Sequence, residues 1–410
     1  MAPDRGLYMP EKFKVLSRKT LEKIRHSESL AETASLVARA MFSDDLPQAI
    51  IDRIVSESLD FDTPVVQVTE GIHALELFHG PTLAFKDVGA RFMAHLLHYY
   101  HGNADQTVHV LVATSGDTGS AVANGFLGMD GIKVHVLYPS GQVSELQEKQ
   151  FTTLGRNVTA LEVDGNFDAC QKLVKEAFAD NALREKMILT SANSINLARF
   201  LPQSFYYFRA WGQVKADNLV ISVPSGNFGN LTAGLVAREM GLPVNTFLAA
   251  SNANDVVPEY LDTGTYTPRS SVKTIANAMD VGAPSNFERI LDIFKNQHER
   301  IIRHLTGYRY SDEQIREIIK EVYNKYGYIL DPHGATGYEA ARIYRMEHPD
   351  TEVVFLETAH PAKFPEIVNG LVDNRLKTPD RLMAFSKGKK ESIELSPDYQ
   401  SFKLYLESCE

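Results

Sequence analysis

The chain has 410 residues, 44% of them hydrophobic, with 42 Lys and Arg against 52 Asp and Glu and a formal net charge of −10. That length suggests two or three domains, and the apolar share is ample for a large core. The acidic balance argues against electrostatic capture of nucleic acid or anionic lipid, while a locally positive pocket could still take an anionic small substrate.

After a short loop, the chain reads as helical to about residue 60. SLAETASLVARAMF and LPQAIIDRIVSESL both repeat apolar residues at helical spacing. Eight short runs then read as strands: VVQV (65–68), ALELF (74–78), VHVLVA (108–113), KVHVLY (133–138), VTALEV (158–163), NLVISV (218–223), VNTFLAA (244–250) and EVVFLE (352–357). Most are followed by a loop and a helical stretch. Alternation of this kind, with largely apolar strands, points to parallel sheets covered by helices, an α/β fold. The last ~35 residues are mixed and polar, too short for a further ligand-binding domain. No run of ~20 apolar residues suggests a transmembrane helix, and the N-terminal MAPDRGLYMPEKF has no signal-peptide core. The two cysteines, Cys170 and Cys409, make no disulfide framework and fit a reducing cytoplasm.

Three strand-to-helix loops have chemical potential. In HGPTLAFKDVGARF (79–92), Lys86 falls at or just before a helix start, among Leu83, Ala84, Phe85 and Val88. The positive end of a helix and apolar neighbours both disfavour an ammonium, which suits a lysine that must lose its proton. The plainer reading is a lysine whose stem packs on the core while its head reaches water. In VATSGDTGSAVANGF (112–126), the small residues of Thr114–Gly119 let backbone amides approach a carboxylate, and Ser115 and Thr118 add hydroxyls. Asp117 would repel that anion unless it points elsewhere or caps the helix. In VPSGNFGNLTAG (223–234), a neutral Gly-rich turn meets a helix. It lacks the lysine of a P-loop and the spacing of G-x-G-x-x-G. A nest of amides can still hold a phosphate permanently, although a tight loop with glycine is the simpler account.

Two more segments fit such a site. SANSINLARF (191–200) groups Asn193, Ser194, Asn196 and Arg199, an arginine being a forked donor for carboxylate or phosphate as well as a common surface ion-pair partner. Thr358 follows the strand EVVFL, where ligands bind in open α/β sheets, and it also reads as an ordinary strand-ending threonine. No HExxH, Cys/His cluster or G-x-S-x-G elbow is present, so no metal site is expected.

Together LELFHGPTLAFKDVGARF, ATSGDTGSAVA, LYPSGQVSELQEKQFTTLG, SANSINLARFLPQ, VPSGNFGNLTAG, NAMDVGAPSNFER and TAHPAKF resemble the threonine synthases. These are pyridoxal-phosphate enzymes of the tryptophan-synthase-β fold type. The segments stand in family order over residues 2–365. Family members usually carry a further segment before a motif like APDRGLYMPE, whereas here Met1 directly precedes Ala2. The resemblance implies two open, mainly parallel sheets flanked by helices, with a helical N-terminal segment. It implies an N-terminal segment 1–72, a large cofactor domain of 73–104 plus 201–375, a smaller α/β domain 105–200 and a tail 376–410. It gives Lys86 as the Schiff-base lysine of pyridoxal 5'-phosphate. Gly226, Asn227, Phe228, Gly229 and Asn230 would hold the cofactor phosphate, and Thr358 the pyridine nitrogen. Ser115, Gly116, Asp117 and Thr118 would lie around the amino-acid end of the substrate, and Asn193, Ser194 and Arg199 around its phosphate. The implied reaction turns O-phospho-L-homoserine and water into L-threonine and phosphate, the last step of threonine biosynthesis, in the cytoplasm and with no nucleic-acid or membrane partner. The sequence leaves the oligomeric state open. Rival readings are a dehydratase of the same fold and a non-catalytic relative that binds the cofactor or a phosphorylated metabolite. The short tail argues against a regulated dehydratase, and intact Lys86, Thr358 and Arg199 argue against the non-catalytic relative.

Overall fold

A computed structural model describes residues 6–102, 106–244 and 246–409. Its strands in chain order are β1 (Val65–Thr69), β2 (Ile72–Glu76), β3 (Val108–Ala113), β4 (Ile132–Pro139), β5 (Val158–Val163), β6 (Ile188–Ser191), β7 (Leu219–Pro224), β8 (Thr246–Ser251), β9 (Leu305–Arg309), β10 (Glu352–Glu357) and β11 (Ile393–Leu395). The chain forms two compact units. The first comprises Met1–Tyr8, Lys86–Arg199 and Thr378–Glu410; the second comprises Met9–Phe85 and Phe200–Lys377.

The second unit is built on a sheet of order β1-β2-β10-β7-β8-β9. Only the β1–β2 hairpin is antiparallel. β7 is buried along its whole length, as its continuous apolar sequence requires of a central parallel strand. The helices Asp312–Tyr326 and Pro332–Glu347 bury Ile315, Ile319, Val322, Ala335 and Tyr338 in one cluster with Val220, Leu248, Val353 and Phe355. The first of these helices is fixed at both ends, by a Ser311/Gln314 capping box and by Gly327 at φ 70°. The N-terminal helices Arg18–Arg25, Leu30–Phe42 and Gln48–Ser58 also belong to this unit. Arg209 explains their attachment. Its Nε and Nη2 fork onto Asp62 at 3.0 and 2.6 Å, while Nη1 and Nη2 donate to the carbonyls of Ser27 and Glu28.

The first unit carries a parallel sheet of order β11-β5-β4-β3-β6. β3 shows why both faces need cover. Val108, Val110 and Val112 pack with Ala90, Met93, Val122 and Phe126 on one side. Leu111 and Ala113 pack with Leu161, Cys170, Leu173, Phe402 and Leu406 on the other. The units divide the chain differently from the expected domains in several places: residues 9–72 form no separate segment but belong to the second unit. The helix Lys86–His101 lies on the β3–β4 sheet through Ala90, Met93 and Ala94, so residues 86–102 fall in the smaller unit. The tail is part of the same unit: β11 extends the sheet beside β5, and the helix Tyr399–Glu407 buries Phe402 and Leu406. β6, β9 and β11 escape the sequence pattern because each is a short, partly exposed edge strand.

Between β3 and β4, His109 Nδ1 lies 3.0 Å from His135 Nε2, and His135 Nδ1 lies 2.8 Å from the Tyr405 hydroxyl. Burial, then the charge of Lys133, pushes His109 down to about 4; burial, then His109 and Lys133, pushes His135 down to about 3. Unfolded histidines titrate near ~6.5, so below that pH the unfolded chain binds protons that the folded chain refuses. Stability from this pair is thus present at neutral pH and lost as pH falls from about 6.5 toward about 4. Urea unfolding across this window should show a steeper acid decline for the wild type than for His135→Phe; equal slopes would contradict the assignment.

Candidate active site

In the first unit, Lys86 is the first residue of its helix, and its Nζ lies 3.6 Å from Asp117 Oδ2. The two side chains are only 15% and 3% exposed, so the pair is largely screened from water. The sequence anticipates an amine at a positive helix end among apolar groups. The structure adds a buried carboxylate facing it.

Asp117 itself opens the helix Asp117–Gly125 after β3. It does not cap that helix; the N-cap is Gly116 at φ 144°, with no side-chain cap bond. The other Asp117 oxygen, Oδ1, accepts from Gln147 Nε2 at 2.9 Å. Its charge is thus turned toward Lys86 and Gln147. Thr114 shapes the loop: its hydroxyl accepts the N–H groups of Gly116 and Gly119 at 2.9 and 2.8 Å and donates to the Gly116 carbonyl. Ser115 and Thr118 are half-buried, and their hydroxyls have no hydrogen-bond partner among the described residues.

β6 lies beside β3, so the loop after it shares the same carboxyl edge of the sheet. Asn193 Nδ2 donates to the carbonyl of Ala113, the last residue of β3, at 3.0 Å. One amide hydrogen of Asn193 is therefore committed to joining the two loops. Ser194 is half-buried in the turn beyond. Arg199 is buried, and its guanidinium packs so near Gly89 that a Cβ there would lie 2.6 Å from Nη1.

In the second unit, the SGNFGN turn runs from β7 into the helix Gly229–Glu239. Phe228 is its N-cap at φ 60°, and no side chain caps this helix. The first amides of any helix lack intrahelical partners, so an uncapped start is a ready anion site. Asn230 holds the loop: Nδ2 donates to the Pro224 carbonyl at 2.8 Å, and Oδ1 accepts from Ser225 Oγ and the Leu231 N–H. Its backbone N–H is the group left for a ligand. Asn227 Oδ1 accepts from the N–H and hydroxyl of Ser285 at 2.7 and 3.0 Å. Gly226 abuts Met279, where a Cβ would sit 2.4 Å from Met279 Cα.

β10 neighbours β7, so Thr358 emerges at the same edge. Thr358 is buried, and its hydroxyl has no hydrogen-bond partner among the described residues. Its carbonyl accepts the N–H of Phe85 at 2.9 Å, and the His360 N–H donates to the Leu83 carbonyl at 3.0 Å. The turn after β2 is thus sewn to residues 358–360, with Leu83 at φ 59°. Lys86 follows Phe85 directly in the chain.

Sequence reasoning missed Thr114 and Gln147 as site-building residues. Gln147 was hidden because Ser144 at the N-cap with a glutamine three residues on reads as a helix cap, and Ser144 is indeed that N-cap.

A family model described as pyridoxal-phosphate dependent enzyme matches residues 59–358. Models of the threonine synthase N terminus and C-terminal region match 1–59 and 334–405. Threonine synthase of Haemophilus influenzae is 44% identical over 408 residues, which cover 98% of this chain and 93% of that protein. The crystal structure of threonine synthase from Escherichia coli superposes with a TM-score of 0.92 at 40% identity, covering all of this chain and 95% of that one. A pyridoxal-phosphate-bound threonine synthase from Brucella melitensis gives 0.91 at 34% identity, over 99% and 94% of the two chains. The fold and the strand-end loops are those of a pyridoxal-phosphate-dependent α/β enzyme. Within that class, the chain belongs to the threonine synthase family, and its activity is that of a threonine synthase with pyridoxal phosphate as cofactor. Its own residues fit the group, with an uncapped helix start free of acidic side chains for the phosphate and a buried, unpartnered hydroxyl for the ring nitrogen.

Gly116 is a direct probe of the loop. A Cβ at φ 144° would lie 2.8 Å from Gln147 Cδ and push Gln147 from Asp117. Gly116→Ala should cost about 1–3 kcal/mol in urea unfolding and most of the turnover; unchanged stability and rate would contradict this geometry.

Proposed function

We propose that this enzyme converts O-phospho-L-homoserine and water into L-threonine and phosphate, with the roles of its residues as follows. When bound, pyridoxal phosphate supplies an aldehyde for amines and a ring that draws electron density from the substrate Cα. Main-chain N–H groups of Gly226, Asn227, Phe228, Gly229 and Asn230 would hold its phosphate, aided by the helix dipole. The Thr358 hydroxyl would donate to its ring nitrogen. A hydroxyl is far too weak an acid to pass a proton there, so the nitrogen stays uncharged.

Lys86 would hold the cofactor through its aldehyde, and with substrate bound its Nζ would accept the Cα proton. The ammonium so formed is stabilised by Asp117, 3.6 Å away. Ser115 and Thr118 hydroxyls and the loop amide at Asp117 bind the substrate carboxylate, while Gly116, its N–H bonded to the Thr114 hydroxyl, shapes the loop around it. Because the Asp117 carboxylate is turned to Lys86 and Gln147, it does not oppose that anion. Arg199, with Asn193 and Ser194, binds the substrate phosphate. A second proton leaves Cβ as the Cγ–O bond to phosphate breaks. A proton returns to Cγ, the hydroxyl of water adds at Cβ, and a proton returns to Cα. The two free cysteines and the lack, among the described residues, of any helix long and apolar enough to cross a membrane are compatible with a cytoplasmic setting.

The observation that carries this reading is the bond from Phe85 N–H to the Thr358 carbonyl, which ties the residue before Lys86 to the threonine assigned to the ring nitrogen. The test is Lys86→Ala. It should fold as the wild type does, lose the visible absorbance of the lysine-bound cofactor, and release threonine and phosphate from O-phospho-L-homoserine roughly a thousandfold more slowly or worse. Wild-type turnover in this variant would remove Lys86 from the mechanism.

A further inference from the structure

The roles above leave unused a buried pair in the second unit, Asp331 and His333. Asp331 is the N-cap of the helix Pro332–Glu347, with Oδ1 accepting the His333 N–H at 2.7 Å. A cap needs no more than that, yet Asp331 does three further things. Its Oδ1 lies 2.6 Å from His333 Nδ1. Its Oδ2 accepts the Ala359 N–H at 3.3 Å. Its own N–H donates to Glu357 Oε1 at 2.5 Å. Glu357 and Ala359 flank Thr358, so one residue is bonded to both neighbours of that threonine.

His333 extends the chain of bonds the other way. Its Nε2 accepts the Ala278 N–H at 3.2 Å, so the ring proton sits on Nδ1 and points to Asp331. Ala278 precedes Met279, the residue whose backbone abuts Gly226 at the start of the phosphate loop. A path of hydrogen bonds and adjacent residues therefore runs from the neighbours of Thr358 through Asp331, His333 and Ala278 to Met279, which leaves no room for a Cβ at Gly226.

We propose that Asp331 and His333 are positioning residues that set the distance between the Thr358 hydroxyl and the amides of Gly226–Asn230. The pair thereby tunes the unit to a ligand that bears a pyridine nitrogen and a phosphate monoester at a fixed span. The proposal rests on the assignment of those groups to the cofactor. A stiff ligand held at two points binds tightly only when both contacts are preset at its own length.

The test is titration of apo-protein with pyridoxal phosphate, followed by visible absorbance and by the phosphorus resonance of the bound phosphate, with the melting temperature of each apo-protein alongside. His333→Phe keeps the ring volume and removes both bonds. It should weaken cofactor binding about tenfold or more and shift the phosphorus resonance, with little change in melting temperature. His333→Gln, whose amide oxygen can take the place of Nε2, should recover most of the affinity. Should His333→Phe not fold, Asp331→Asn keeps a capping oxygen and should show the same loss. Wild-type affinity in either folded variant overturns the brace. So does a loss that tracks apo-protein stability and is not recovered by His333→Gln. Failure of the wild-type apo-protein to take up pyridoxal phosphate would instead sink the cofactor assignment itself.

Discussion

The candidate site depends on β10 lying between β2 and β7 in parallel register. Val354 pairs with His73 on one side and Ile221 on the other. Three parallel neighbours must end at one edge, and the backbone there runs out of strand partners. The turn after β2, Thr358 and the SGNFGN loop therefore emerge side by side. The freed backbone groups are satisfied among themselves, with Leu77 and Phe85 donating to the carbonyls of Glu357 and Thr358. A one-residue slip of β10 would turn every side chain on it to the opposite face and remove Thr358 from its position.

Charge placement follows the same economy. The SGNFGN loop contains no ionisable side chain, so an anion there would meet oriented amides only. The carboxylate of the Thr114–Gly119 loop, Asp117, faces Lys86 and Gln147. Thus an acidic chain of net charge −10 can present anion-binding surfaces where the chemistry needs them. The apolar surroundings read from the sequence around Lys86 are only half of its environment; the other half is Asp117, brought in from a different strand-helix loop.

How much was legible in advance varies with physical cause. Fully buried parallel strands such as β3 and β7 announce themselves as unbroken apolar runs, and the Gly-rich loops after them mark the strand-to-helix turns. Edge strands β6, β9 and β11 do not, because exposure on one side dilutes the pattern. The helix beginning at Lys86 could be found by its periodicity, but not the sheet it packs on, because a helix's apolar stripe does not name its partner. Gln147, Asp331 and His333 were invisible for a related reason. Each passes for a capping or first-turn helix residue, and each also has a side-chain partner between 28 and 55 positions away, respectively Asp117, Ala359 and Ala278.

In the proposed reaction carbon–oxygen, not phosphorus–oxygen, cleavage releases the phosphate, and water then adds at Cβ. Turnover of O-phospho-L-homoserine in water enriched in heavy oxygen measures this directly. The label should appear in the β-hydroxyl of threonine, and freshly released phosphate should carry none. Label in the phosphate, with homoserine as the other product, would contradict the account.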